Sequence, residues 1–394
     1  MNTCRIIELM LVCIVVTLNI HAQESSGTSG KKIVEYGWDV PTPAFIAEHI
    51  RDMEKRPFDG LLFRLKANGM VLEPTPINEA DLAEDLEAVD KIRWEKFTDN
   101  FVMMYAASTQ DWFNDDHWKA IEHNTELVTR VARRAGCVGV CFDAEPYGTN
   151  PWAYRDAPHR DTKTYADYKA IVRKRGEQFV RAIEREFPDA TILTFFHASI
   201  YRKFCRPMPE NVRKEELEKT TYALLPAFVE GMLQGSQTDI RIVDGNEGAY
   251  YYTNSLEYFN LYHAVTQRAR YLIPPDVWPA YYAKVRMGQA LYIDQYYGMR
   301  KTEKTLGNYM TPEEQAKWFE HNIYWALYTT DRYVWCYSER MNWWTDTDVP
   351  PGAEEAIRNA RAAIEAGEPL SFDLAPIIET AEAKNKEDKK NTGK

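Results

Sequence analysis

Two acids close a short apolar run, Cys137-Val138-Gly139-Val140-Cys141-Phe142-Asp143-Ala144-Glu145-Pro146-Tyr147. Alternate residues of a strand share a face, so Asp143 and Glu145 point the same way with Cα atoms roughly 7 Å apart. Pro146 then stops regular pairing. Crowded carboxylates repel, and the repulsion holds one of them protonated near neutral pH, as acid–base chemistry needs. The same pair also suits a loop cap or an arginine partner, so it decides little by itself. No CxxC or HExxH spacing accompanies it, and neither a metal centre nor a cofactor is expected.

What positions these acids is a repeat of short apolar strand, loop and amphipathic helix. Strands are expected at Ile33–Val40, Phe58–Leu65, Asn100–Ala107, the acidic run itself, Ala190–His197, Ile240–Asp244, Gly288–Asp294 and Arg332–Tyr337. Helices are expected near 43–55, 117–134, 165–187, 211–234, 255–271 and 353–366, with a further short one at 79–89. Gly136 and Gly367 stop two of them. Thr311 and Glu314 form a capping box that opens another. Residues 66–98 and the region around 272–285 read as insertions at the rim. Strands alternating with helices imply right-handed crossovers and a parallel sheet, and eight such units close into a barrel. The expected fold is therefore α/β, a single (β/α)8 TIM barrel.

In such a barrel the site lies at the C-terminal ends of the strands. That rule gathers Asp39, Arg64, Asp143, Glu145, Tyr147, His197, Asp244, Glu247, Asp294, Tyr296, Glu339 and Trp343 at one mouth. An aromatic ring of Trp38, Tyr105, Trp152, Tyr250 to Tyr252, Tyr292 and Trp344 surrounds it. Each residue also has a structural role open to it. Asp39 can cap the first helix, Arg64 can pair with an acid, and His197 can be a hydrogen-bonded core histidine. The convergence of several acids is harder to explain by structure alone.

The chain has 394 residues, 45% hydrophobic and 13% aromatic, with 24 Tyr and 11 Trp. Its net charge of −11, without a basic stripe, argues against nucleic acid or anionic membrane as partner. Residues 1–22 read as a signal peptide: Arg5 is followed by an apolar run from Leu9 to Ile20, with Ala22 at the cleavage point. Export to the periplasm or exterior follows, with no stable membrane insertion after cleavage. Residues 23–32 read as a flexible leader, 33–372 as the barrel, and 373–394 as a charged, disordered tail. Export permits disulfides among Cys137, Cys141, Cys205 and Cys336, with three connectivities open. Cys137 and Cys141 lie too far apart along one strand to bridge each other.

The stretch Phe142-Asp143-Ala144-Glu145 resembles the end of the strand-four signature of family 18 chitinases and related N-acetylglucosaminidases. The resemblance implies a glycoside hydrolase acting on a carbohydrate, with Glu145 as general acid. Asp143 would orient the substrate's acetamido group, itself the nucleophile. Cys141 stands where that family has a further Asp. A second layout resembles the alpha-galactosidase-like barrels, with Asp143 as nucleophile and Asp244 as acid. Carboxyl separation distinguishes outcomes: about 5–5.5 Å suits retention and about 6.5–9.5 Å suits inversion. A carbohydrate-binding barrel without catalysis and a polysaccharide lyase or other barrel hydrolase are the alternatives.

Overall fold

A computed structural model describes residues 30–392 apart from position 68. The expected signal peptide and most of the expected leader lie outside the described residues. Nine strands form one sheet, all paired in parallel, in the spatial order β7-β6-β5-β4-β3-β2-β1-β9-β8. They are β1 (Lys32–Gly37), β2 (Gly60–Phe63), β3 (Phe101–Tyr105), β4 (Gly139–Asp143), β5 (Thr191–Thr194), β6 (Arg241–Asp244), β7 (Val285–Met287), β8 (Gln289–Tyr292) and β9 (Tyr333–Ser338).

The two ends of that order, β7 and β8, are one stave of the barrel interrupted at Gly288. Before the glycine the stave pairs with β6, and after it with β9. The Gly288 amide donates to the Asp244 carbonyl at 2.7 Å. A Cβ there would sit 3.0 Å from Val243 Cγ1, so a larger residue would have to push that side chain aside. The sheet is thereby closed into eight staves, and the expected (β/α)8 barrel is the fold. Its strands are short and apolar because both of their faces are covered.

The helices follow from the sequence with three differences. The capping box at Thr311 forms, with the Glu314 amide donating to Thr311 Oγ1 at 3.3 Å and the Thr311 amide donating to Glu314 Oε2 at 2.8 Å. The single helix expected at 211–234 is two, Glu210–Glu218 and Leu225–Gly235; Pro226 lies in the second helix's first turn, where its missing N–H costs nothing. Within 272–285, read as an insertion, lie the helix Trp278–Lys284 and the start of the seventh stave.

The tail is the third difference. It was expected to be disordered, but Ala375–Thr392 is helical. Leu374, Ile378 and Ala381 are buried at helical spacing, a thin apolar stripe that the lysine-rich composition conceals. Asp388 receives hydrogen bonds from Lys304 Nζ at 2.7 Å and the Tyr309 hydroxyl at 2.6 Å. The four described cysteines, Cys137, Cys141, Cys205 and Cys336, are free and buried. Among the described residues no helix is long and apolar enough to cross a membrane.

Candidate active site

A cavity of about 260 Å³ opens at the C-terminal mouth of the barrel. Its wall includes three carboxylates: Glu145 beyond β4, Glu247 beyond β6 and Glu339 beyond β9. Aromatic rings make the rest. Tyr36 of β1 lies 4.8 Å from Phe195 and stacks on Tyr337 at 5.5 Å; Tyr250 stacks on Tyr337 at 5.6 Å and meets Tyr292 at 5.0 Å. Trp38 and Tyr147 stand exposed at the rim. The Arg300 guanidinium sits over the Tyr292 ring at 5.7 Å, the one cation in the cavity wall among the described residues.

Each glutamate is held by its own loop. Past β4, the Trp152 indole donates to the Ala144 carbonyl at 2.8 Å and fixes the end of the strand. The Glu145 amide donates to Asp143 Oδ1 at 2.8 Å, and the Tyr147 hydroxyl donates to Glu145 Oε2 at 2.7 Å. Past β6, Asn246 adopts a left-handed conformation, φ 46°, that turns the chain sharply. Its side-chain amide donates to Gln289 at 2.7 Å, and the Glu247 amide donates to the Phe195 carbonyl at 3.0 Å. Past β9, the Glu339 amide donates to Asp294 Oδ2 at 2.8 Å, and the Tyr337 hydroxyl donates to Glu339 Oε1 at 3.2 Å.

The crowding has electrostatic consequences. Burial pushes the Glu247 carboxyl up to about 8, and the charges of Glu145 and Asp143 push in the same direction. Asp143, beneath the cavity, is raised to about 7 by burial first and by Glu145 as well, although the Glu145 amide opposes the shift. Asp39 and Asp294 are each raised to about 6, again chiefly by burial. Glu247 is therefore protonated at neutral pH in a cavity that it shares with Glu145. That is a proton donor beside a second carboxylate, with apolar ring faces around both.

The residues expected at the mouth divide into two groups. Glu145, Tyr147, Glu247 and Glu339 line the cavity, and Asp143 supports it from below. Asp244 does not face it. Its carboxylate is fully buried and accepts from the Ser199 amide and hydroxyl, at 2.7 and 2.6 Å, and from the Asn246 amide at 3.1 Å. His197 is also buried, its Nδ1 accepting from the Ala198 amide at 2.7 Å, and burial lowers its basicity. Asp294 lies behind Glu339 because the chain turns helical at Ile293–Tyr296 directly after β8.

Tyr296 is buried against Trp318 and Phe319, and Trp343 is buried against Phe58. Arg64 is exposed outside the cavity wall, and Asp39 is partly buried behind β1. Of the expected aromatic ring, Trp152 is instead in the core and Trp344 packs on Phe58 and Phe97. Sequence reasoning missed Tyr36, Phe195, Tyr337 and Arg300. Strand alternation puts Tyr36 on the face of Trp38, a usable signal for one of them. Among the described residues no group of three or more His, Cys, Asp or Glu is arranged to hold a metal ion.

No family model matches the chain, and no curated protein matches it. Among solved structures it is similar to an exo-beta-1,4-mannosidase from Opitutaceae bacterium strain TAV5, at 12% identity and TM-score 0.46 over 88% of this chain and 63% of that one. It is also similar to a GH18 chitinase from Pseudoalteromonas aurantia, at 10% identity and TM-score 0.40 over 84% of this chain and 100% of that one. A GH31 alpha-xylosidase from Xanthomonas citri matches at 8% identity and TM-score 0.39, over 92% of this chain and 38% of that one. The chain thus spans less than two thirds of the length of the mannosidase.

Proposed function

We propose that this protein is a glycoside hydrolase in which Glu247 is the general acid and Glu145 its carboxylate partner. The observation that carries the reading is the pair itself: two glutamates from β4 and β6 line one aromatic-walled cavity, and one of them is held protonated near neutral pH. Glycosidic cleavage needs that asymmetry. A carboxylic acid protonates the leaving oxygen while a carboxylate stabilises the positive charge that develops at the sugar's anomeric carbon. Apolar sugar faces suit the rings of Tyr36, Tyr250, Tyr292 and Trp38. Asp143, through the Glu145 amide and through its own charge, sets the position and the field of the pair.

The roles differ from those that the chitinase resemblance implies, where Glu145 is the acid. Glu247 supplies a separate proton donor, which frees Glu145 to act as the charged member. Asp244, already engaged by three donors, is left to hold the turn at Ser199. A panel of aryl glycosides and polysaccharides tests the proposal. Hydrolysis should fall by about 10²-fold or more in Glu247→Gln and in Glu145→Gln, while sugar binding and melting temperature persist. Sugar binding without turnover by the unaltered protein across the whole panel would sink the enzymatic reading and leave a carbohydrate-binding barrel.

A further inference from the structure

Tyr251 stands between two hollows. On one side is the mouth; on the other a groove of about 400 Å³ runs between the turn Ser199–Phe204 and the segment from Asn246 to Leu261. Tyr251 lines both, and 53% of it is exposed. Further out, the turn Ser199–Phe204 packs against the turn Ala269–Tyr271. There a third hollow of about 360 Å³ opens beside Tyr271 and Trp278.

The sign of the charge reverses at Tyr251. The mouth carries Glu145, Glu247 and Glu339 against Arg300. The two outer hollows carry Lys169, Arg202, Lys203, Arg213, Lys214 and Arg270, against Glu210 and Glu257. Glu257 is already engaged, accepting from the Thr253 amide at 2.9 Å and the Asn254 side chain at 3.1 Å. None of the six cations forms an ion pair among the described residues. Arg213 donates to the Arg206 and Phe204 carbonyls at 2.8 and 3.3 Å and lies over the Tyr271 ring, as Arg270 does. Lys203 and Lys169 meet Glu216 and Glu230 only at longer range, and the excess of cations on this shoulder of a chain of net charge −11 favours anions.

We propose that the groove beyond Tyr251 binds an anionic stretch of a polysaccharide, with carboxylate- or sulfate-bearing sugars, whose neighbouring sugar occupies the mouth. Occupation of the mouth by a neighbouring sugar rests on the glycoside hydrolase reading; binding in the groove does not. Glu145 and Glu339 disfavour an anionic sugar at the mouth, where Glu247 holds its proton, so the sugar there is uncharged and the charged one lies past Tyr251. Tyr251 offers a ring face to the chain where it crosses between hollows, and Arg202 is the nearest unpaired guanidinium beyond it.

Calorimetry on full-length protein carrying Glu145→Gln, which prevents turnover, tests this. The probes are a galacturonic acid oligomer, a chondroitin sulfate oligomer, a neutral cello-oligosaccharide and a single-stranded oligonucleotide. At least one anionic oligosaccharide should bind more tightly than the neutral one and weaken as salt rises; which one distinguishes carboxylate from sulfate. Arg202→Gln and, separately, Tyr251→Ala should each lower that affinity about tenfold, as the loss of one charge-assisted or stacking contact does. Lys203→Gln, on the same turn, repeats the test should Arg202→Gln fold poorly. Equal binding of neutral and anionic oligosaccharides would overturn the proposal, as would full affinity in the Arg202 and Lys203 variants. Tighter binding of the oligonucleotide than of either anionic oligosaccharide would do so too. Selective anionic binding without hydrolysis of any polysaccharide by the unaltered protein would support the groove and defeat the glycoside hydrolase reading.

Discussion

On the mouth side of Tyr251 acids predominate, and burial, then Glu145 and Asp143, push the Glu247 carboxyl up; on the shoulder side cations predominate. Glu247 is half-buried and shares its cavity with Glu145, so its proton is retained to about pH 8. Arg202 and Lys203 are exposed and form no ion pair among the described residues. Burial raises the acids of the mouth, whereas the cations of the shoulder stand in solvent. Asp244 links the two: it ends β6 beneath the mouth and ties down Ser199, the first residue of the turn that bears Arg202.

The comparison breaks most visibly at the acid. Glu247→Gln should lower kcat by about 10²–10⁴-fold, the span ascribed to general acid catalysis, with little change in melting temperature. Steady-state kinetics beside thermal unfolding check it. Near-normal turnover would remove Glu247 from the chemistry and return the acid's role to Glu145.

Asp244→Ala should do the opposite. It strands the Ser199 and Asn246 amides in the interior and should destabilise the protein by about 2–4 kcal/mol, read from denaturant unfolding. A stable Asp244→Ala protein with normal binding would show that the two sides are not mechanically joined.

The pH dependence separates the sides by sign. A carboxyl raised in the folded state is protonated there while the unfolded chain is already ionised. Its ionisation therefore opposes folding, and stability falls as pH rises from the ordinary carboxylate range toward the folded value. For Glu247 that window runs from about 4.5 to about 8, and for Asp143 from about 3.8 to about 7. The protein should melt at a higher temperature at pH 5 than at pH 8.5, with a shallower slope in Glu247→Gln. Activity should fall on the alkaline side near pH 8 as the acid loses its proton.

The smallest effect is expected at the rim. Trp38→Ala removes an exposed ring and should raise KM several-fold, with kcat nearly unchanged, since aromatic contacts of this kind contribute about 0.5–1.5 kcal/mol. A loss confined to kcat would place Trp38 closer to the reacting atoms than its exposure suggests.

Much of the architecture was legible because its signals are local. Apolar runs such as GLLF and FVMMY, the Thr311–Glu314 box and the stops at Gly136 and Gly367 act over a few residues, and the strand-end rule turns a count of strands into a list of site candidates. The Ala375–Thr392 helix was not legible in the same way, because its apolar stripe is sparse and counts only when the body of the protein covers it.

By itself, then, the sequence determined that carboxylates from several strands reach one end of a parallel barrel. Which of them face the cavity was decided by the tertiary structure. Asp244 and Glu247 are three residues apart on the same strand end, yet one is enclosed by Ser199 and Asn246 and the other faces Glu145 across open space. The difference comes from the left-handed turn at Asn246 and from the neighbours that each side chain meets. Those neighbours belong to strands far away in the chain, and a carboxylate's protonation depends on its burial and on their charges, which local spacing does not encode.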